Sequence, residues 1–130
     1  VMRALSCLPP EHGIAAMQSI NVTVINPLFM TAFFGTAATC AVVAITSLLG
    51  WDRPGSGFLL VGSLLYLLGT ILVTIACNVP RNEALAPVDP TSSEGARLWT
   101  GYVPGWTAWN HVRTAAALAA AAVLTVALLH

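Results

Sequence analysis

Three long stretches of this sequence contain no Asp, Glu, Lys or Arg: His12 to Trp51, Pro54 to Pro80, and Thr114 to His130. A small aqueous domain buries only part of its surface and must cover the rest with polar and charged groups. Here only 8% of 130 residues are charged, against about a quarter in soluble domains. A surface that faces lipid removes the conflict. The expected fold class is therefore all-α: one membrane-embedded helical bundle spanning residues 1–130.

The spans can be placed from local signals. Asn26-Pro27 is a helix start, with Asn as N-cap and Pro at the first position. The apolar run that follows, about 27–49, is long enough to cross a hydrocarbon core of about 30 Å at 1.5 Å per residue. The turn "GWDRPGSG" then leads into a second span at about 57–77, too close to the first for anything but an antiparallel hairpin. A third span is expected at about 107–129. Gly35, Ala38, Thr39, Gly62, Gly69 and the alanines after Arg113 provide small surfaces for close helix contact. Tyr66, mid-span, needs a partner for its hydroxyl. The opening Val1-Met-Arg-Ala-Leu5 reads as the tail of a further, missing N-terminal helix, which would make a bundle of four.

Two polar segments remain. Residues 9–25 predict a short interfacial helix, because Ile14, Met17, Asn21 and Val24 recur at helical spacing. Residues 78–106 predict a polar connection with a short helix, capped by Ser92 or Ser93 and ended by Pro104-Gly105. One hairpin separates these segments, so both belong at the same end of the bundle. Counting Arg3, Arg81, Arg97 and Arg113 against Arg53 puts that end on the cytoplasmic side.

The chemistry-bearing residues converge there. They are Asn21 with Gln18, Asn26, Asn78 and Asn82, the aromatics Trp99, Tyr102, Trp106 and Trp109, and the group Asn110, His111 and Arg113. Each has an ordinary reading as a cap, a turn former or an interfacial anchor. Arg113 is the exception: it lies one to two turns inside the third span, where an unpaired cation is costly. Glu83 and Asp89 in the long connection, along with backbone carbonyls, are its expected partners. Cys7, Cys40 and Cys77 have no ligand spacing, no cluster of His, Cys or carboxylates suggests a metal, and zero net charge argues against nucleic acid.

The stretches "AMQSINVTVINPLFM", "FFGT", "CNVPRNEALA" and "WNHVRTAAALAAAA" resemble, in this order, the anthrone oxygenase-like family of small membrane proteins. The resemblance runs from about Met17 to Leu129. It implies a four-helix membrane protein of the bacterial plasma membrane. Some fungal members oxidise an anthrone to an anthraquinone with molecular oxygen. Such chemistry needs neither metal nor flavin, and no cofactor is expected. Its expected partners are the bilayer, a lipophilic aromatic molecule and O2, with a homo-oligomer or larger membrane complex also open. Under this resemblance His111 would be the base, and Arg113, Asn110 and Asn78 would hold the developing oxyanion. Trp99, Trp106 and Trp109 would stack the rings, with Asn21, Asn26, Asn82 and Tyr102 completing the binding site. The competing expectations are a non-catalytic subunit or scaffold, and a binder of a molecule such as a quinone.

Overall fold

A computed structural model describes residues 1–130 and contains helices and turns only. The elements are α1 (Met2–Ser6), α2 (Pro10–Thr23), α3 (Pro27–Leu49), α4 (Ser56–Leu85) and α5 (Ser93–Ala127). Helices α3, α4 and α5 are each long and apolar enough to cross a membrane. Their outer faces carry large apolar side chains such as Val42, Ile45, Leu68, Leu72, Ile75 and Leu118, all exposed. A continuous apolar exterior of this kind suits lipid and would be a liability in water.

Local chemistry explains the ends. Asn26 Oδ1 accepts from the Phe29 N–H at 3.0 Å and starts α3. The hairpin closes through Ser56 Oγ, which donates to the Gly50 carbonyl at 2.8 Å, and through Gly55, whose φ of 78° suits a residue without Cβ. Ser92 Oγ accepts from Gly95 N–H at 2.9 Å and starts α5.

Helices α4 and α5 run antiparallel in close contact. A Cβ on Gly62 would sit 2.6 Å from Leu124 Cγ, and one on Gly69 would overlap the Ala116 methyl. Small residues thus let the two backbones approach, as in other membrane helix pairs. Along Leu67–Leu72 and Thr74–Asn78 the turns of α4 widen to π geometry. Tyr66 finds its partner across the bundle, donating to the Phe33 carbonyl at 3.2 Å.

Several boundaries depart from the sequence expectation. Pro104-Gly105 does not end a short helix: α5 runs unbroken from Ser93 to Ala127 with Pro104 inside it. Proline removes one backbone donor, but packing on both sides of it outweighs that loss. At 35 residues α5 extends about 50 Å, well beyond a hydrocarbon core of about 30 Å. The second span likewise does not stop at Cys77 but continues to Leu85, so the polar connection shrinks to residues 86–92. The extensions of α4 and α5 form two stems at one end of the bundle. Helices α1 and α2 pack against these stems around Met2, Leu5, Ile14, Met17, Leu85, Trp99 and Tyr102. Gln18 locks the arrangement: its Nε2 donates to the Leu85 carbonyl at 2.9 Å and the Val88 carbonyl at 2.8 Å, capping the end of α4.

Candidate functional site

Between this rim core and the close-packed membrane half lies a partly open cavity of about 800 Å³. Its size falls within the range of small-molecule sites. Its walls differ in chemistry. Phe29, Met30, Phe33 and Phe34 at the start of α3, with Ile20, Val24 and Ile25, make one side apolar. Phe29 and Phe33 stack with centroids 5.6 Å apart, and Phe34 meets Phe33 edge-on at 5.3 Å. The polar lining comes from Asn21 on α2, from Thr74, Asn78 and Asn82 on α4 beside the apolar Ile75 and Val79, and from Trp106, Thr107, Asn110, His111 and Arg113 on α5; Arg3 of α1 adds a second cation.

Helical periodicity builds the polar wall. Trp106, Asn110 and Arg113 follow one another at four- and three-residue spacing on α5, and Thr74, Asn78 and Asn82 at four-residue spacing on α4. The two rows meet directly. Asn78 Nδ2 donates to the Trp106 carbonyl at 3.3 Å, and Arg113 Nη1 donates to Thr74 Oγ1 at 3.2 Å. Thr74 Oγ1 in turn donates to the Thr70 carbonyl at 2.7 Å, and Thr70 Oγ1 to the Arg113 carbonyl at 3.2 Å.

Arg113 is not paired with Glu83 or Asp89. Its Nε donates to Asn110 Oδ1 at 2.8 Å, and its other side-chain hydrogen bond is the one to Thr74. The structure's single acid–base contact is His12 with Glu11, in the first turn of α2. Asp89 is occupied in its own turn: its Oδ1 accepts from Thr91 N–H at 2.9 Å and Thr91 Oγ1 at 2.8 Å. Those two donors hold its carboxyl below the usual range. Arg113 therefore lines the cavity as a cation hydrogen-bonded only to neutral groups, with Arg3 as the other cation of the lining.

Three further atoms of the polar wall are buried without a hydrogen-bond partner: Asn78 Oδ1, Trp106 Nε1 and Thr107 Oγ1. Buried polar groups left unpaired are uncommon and cost about 1–3 kcal/mol each. All three belong to residues that line the cavity.

The sequence-derived candidates divide accordingly. Asn21, Asn78, Asn82, Trp106, Asn110, His111 and Arg113 gather around the cavity. Asn26 instead caps α3. Trp99 and Tyr102 lie in the rim core, stacked at 5.5 Å, and Tyr102 Oη donates to Asn82 Oδ1 at 2.7 Å. Trp109 is outward-facing on α5, away from the cavity lining. His111 is exposed at the edge of the lining, next to Asn110. Sequence reasoning did not single out Thr74, Thr107 or the phenylalanine wall. The signal for the last was present: Phe29 and Phe33 are one helical turn apart beside Phe34, at the mouth of a span.

Comparison with known families adds the lineage of the chain. The model of a family described as anthrone oxygenase matches residues 29–123. The chain belongs to the anthrone oxygenase family. The match takes in α3, α4 and most of α5, and so every cavity residue from Phe29 to Arg113; Asn21 on α2 lies outside it. No curated protein and no solved structure matches the chain.

Proposed function

We propose that the cavity binds a planar aromatic ketone of the anthrone type and promotes its oxidation by O2. The observation that carries this reading is the division of the cavity. Stacked phenylalanines share its lining with a polar row holding Arg113 without a carboxylate. Rings would lie against Phe29, Phe33 and Phe34, where aromatic contacts are favourable. The carbonyl oxygen would point to Arg113 and the free amide hydrogens of Asn110.

The chemistry follows from the substrate. Removing a benzylic proton from an anthrone leaves an anion delocalised onto the carbonyl oxygen. That anion gives one electron to O2. The two radicals join through a new C–O bond, and the resulting hydroperoxide loses water to leave a second ketone. One oxygen atom stays on the ring and the other departs as water with the two benzylic hydrogens. The protein has two tasks: to take the proton and to stabilise the oxyanion. Arg113, desolvated and lacking a carboxylate partner, suits the second task. His111 at the cavity edge is the residue for the first, since an imidazole can exchange protons near neutral pH.

Oxygen uptake by membranes carrying the protein, supplied with anthrone, tests this directly. One O2 should be consumed per anthrone above the rate of empty membranes. His111→Ala should slow that uptake by about a hundredfold; unchanged turnover removes His111 as base. A carrier of lipophilic molecules would bind anthrone in the same cavity without accelerating oxygen uptake. A scaffold would bind neither anthrone nor its product, and the open cavity with its unpaired groups speaks against it.

A further inference from the structure

Two of the three unpaired atoms of the polar wall are chemical opposites, while the third, the Thr107 hydroxyl, can either donate or accept; the contrast between the two carries information about the ligand. Asn78 is only 2% exposed. Its amide orientation is fixed by its neighbour: the atom 3.3 Å from the Trp106 carbonyl must be the nitrogen, because a carbonyl only accepts. The remaining atom, Oδ1, is therefore an acceptor with nothing to accept from. Trp106 Nε1, in contrast, is a donor with nothing to donate to. Arg113 adds further donors to the same wall.

A ligand that offers only acceptors, such as a simple quinone or an ether, would satisfy Trp106 and Arg113 and leave Asn78 Oδ1 stranded. A ligand with an O–H group satisfies all three. We infer that Asn78 is a specificity-determining residue: its Oδ1 accepts a hydrogen bond from a ring hydroxyl, so that the cavity selects hydroxylated aromatics over the same rings without a donor. This rests on the reading of the cavity as an aromatic-ligand site, though not on the oxidation itself. Sites built to hydrogen-bond a hydroxyl reject the analogue that lacks it because the buried partner is left unpaired.

Binding of 2-naphthol and of its methyl ether to the purified full chain in lipid nanodiscs tests the inference, with empty nanodiscs as the blank. Both probes are small enough to turn within a cavity of about 800 Å³ and present their oxygen to any wall. They differ in one donor, and neither is an anthrone, so binding is read apart from oxidation. The expected result is a preference for the naphthol of about ten- to a hundredfold in Kd. Asn78→Leu should reduce it to under about threefold, mainly by strengthening the ether. Trp106→Phe, which removes the donor both probes can use, should weaken both and keep the preference; it supplies the contrast if Asn78→Leu does not fold. Equal binding of the two probes by the unaltered protein overturns the inference, as does a preference that survives Asn78→Leu or disappears in Trp106→Phe. Loss of oxygen uptake with anthrone alongside an intact naphthol preference would sink the oxidation reading and leave this one standing.

Discussion

One stripe of α5 does two different jobs. Trp99, Tyr102, Trp106, Asn110 and Arg113 follow each other at three- and four-residue spacing along a single face. The upper part, Trp99 and Tyr102, is sealed into the rim core; the lower part, from Trp106 to Arg113, borders the cavity. What stands opposite makes the difference. Above, α2 brings Ile14, Met17 and Gly13 against the stripe, and Leu85 closes the gap from α4. Below, only the last turns of α2 reach the cavity, through Met17, Ile20 and Asn21, and the start of α3 adds its phenylalanines to the lining of an open space. Aromatic and polar residues at one helical spacing therefore say which face is inside. Whether that inside is filled or hollow depends on the neighbouring helices.

The strongest way to break this contrast is to hollow out the filled part. Trp99→Ala removes a 5% exposed indole from the rim core and should cost about 3–5 kcal/mol. Unfolding of the purified protein in detergent measures it. A loss below about 1 kcal/mol would mean that the rim is loosely packed and no different from the cavity.

Slightly smaller in free energy, and opposite in kind, is Arg113→Gln. This change should reduce anthrone-dependent oxygen uptake by about a hundred- to a thousandfold. It should scarcely lower stability, because the cation has no carboxylate to leave behind. A large stability loss with retained uptake would reassign Arg113 to structure and place the whole stripe in one class.

Gly13→Ala probes the seam from the α2 side. The added Cβ would lie 2.7 Å from Trp99 Cζ2, so either the indole or α2 must move. Overpacking of this kind costs about 1–3 kcal/mol, and Trp99 fluorescence should shift with it. Gly101→Ala, where nothing lies within 4 Å, is the matched control on α5 and should be neutral or mildly stabilising.

The sequence was legible where a signal is local. Both N-caps, Asn26 and Ser92, can be read from residue type and position, and the three apolar helices follow from runs without charge. That Asn78 and Arg113 lie at the same end of the bundle follows from hairpin topology; that both line a cavity there does not. Other features depend on contacts between elements distant in sequence. Pro104-Gly105 carries a strong stop signal, but Trp99 and Tyr102 are held in the rim core on one side of it and Asn78 meets the Trp106 carbonyl on the other, so the helix continues. Gln18 gives no hint in sequence that it caps a helix ending at Leu85. The partners of Arg113 were misjudged because charge suggests charge, whereas the wide turns of α4 present Thr74, and Asn110 is one turn away on its own helix.

The smallest effect expected separates rim from cavity by pH. Asp89 belongs to the short connection between the stems, where Thr91 donates twice to its carboxylate and Ser92 Oγ donates to its carbonyl at 2.7 Å. Its carboxyl is held below the ordinary range by those two donors. A depressed acid stabilises the fold above its unfolded pKa and loses that contribution as pH falls through the lower, folded value. Acidification below the usual carboxylate range should therefore loosen residues 86–92, and Asp89→Asn should reproduce part of the change at neutral pH. Limited proteolysis of this connection reads the effect. Naphthol binding in the cavity should stay constant over the same interval, since none of its lining residues is a carboxylate. Parallel changes in both would show that the connection and the cavity move as one unit, and the division of α5 into a sealed and an open half would have to be abandoned.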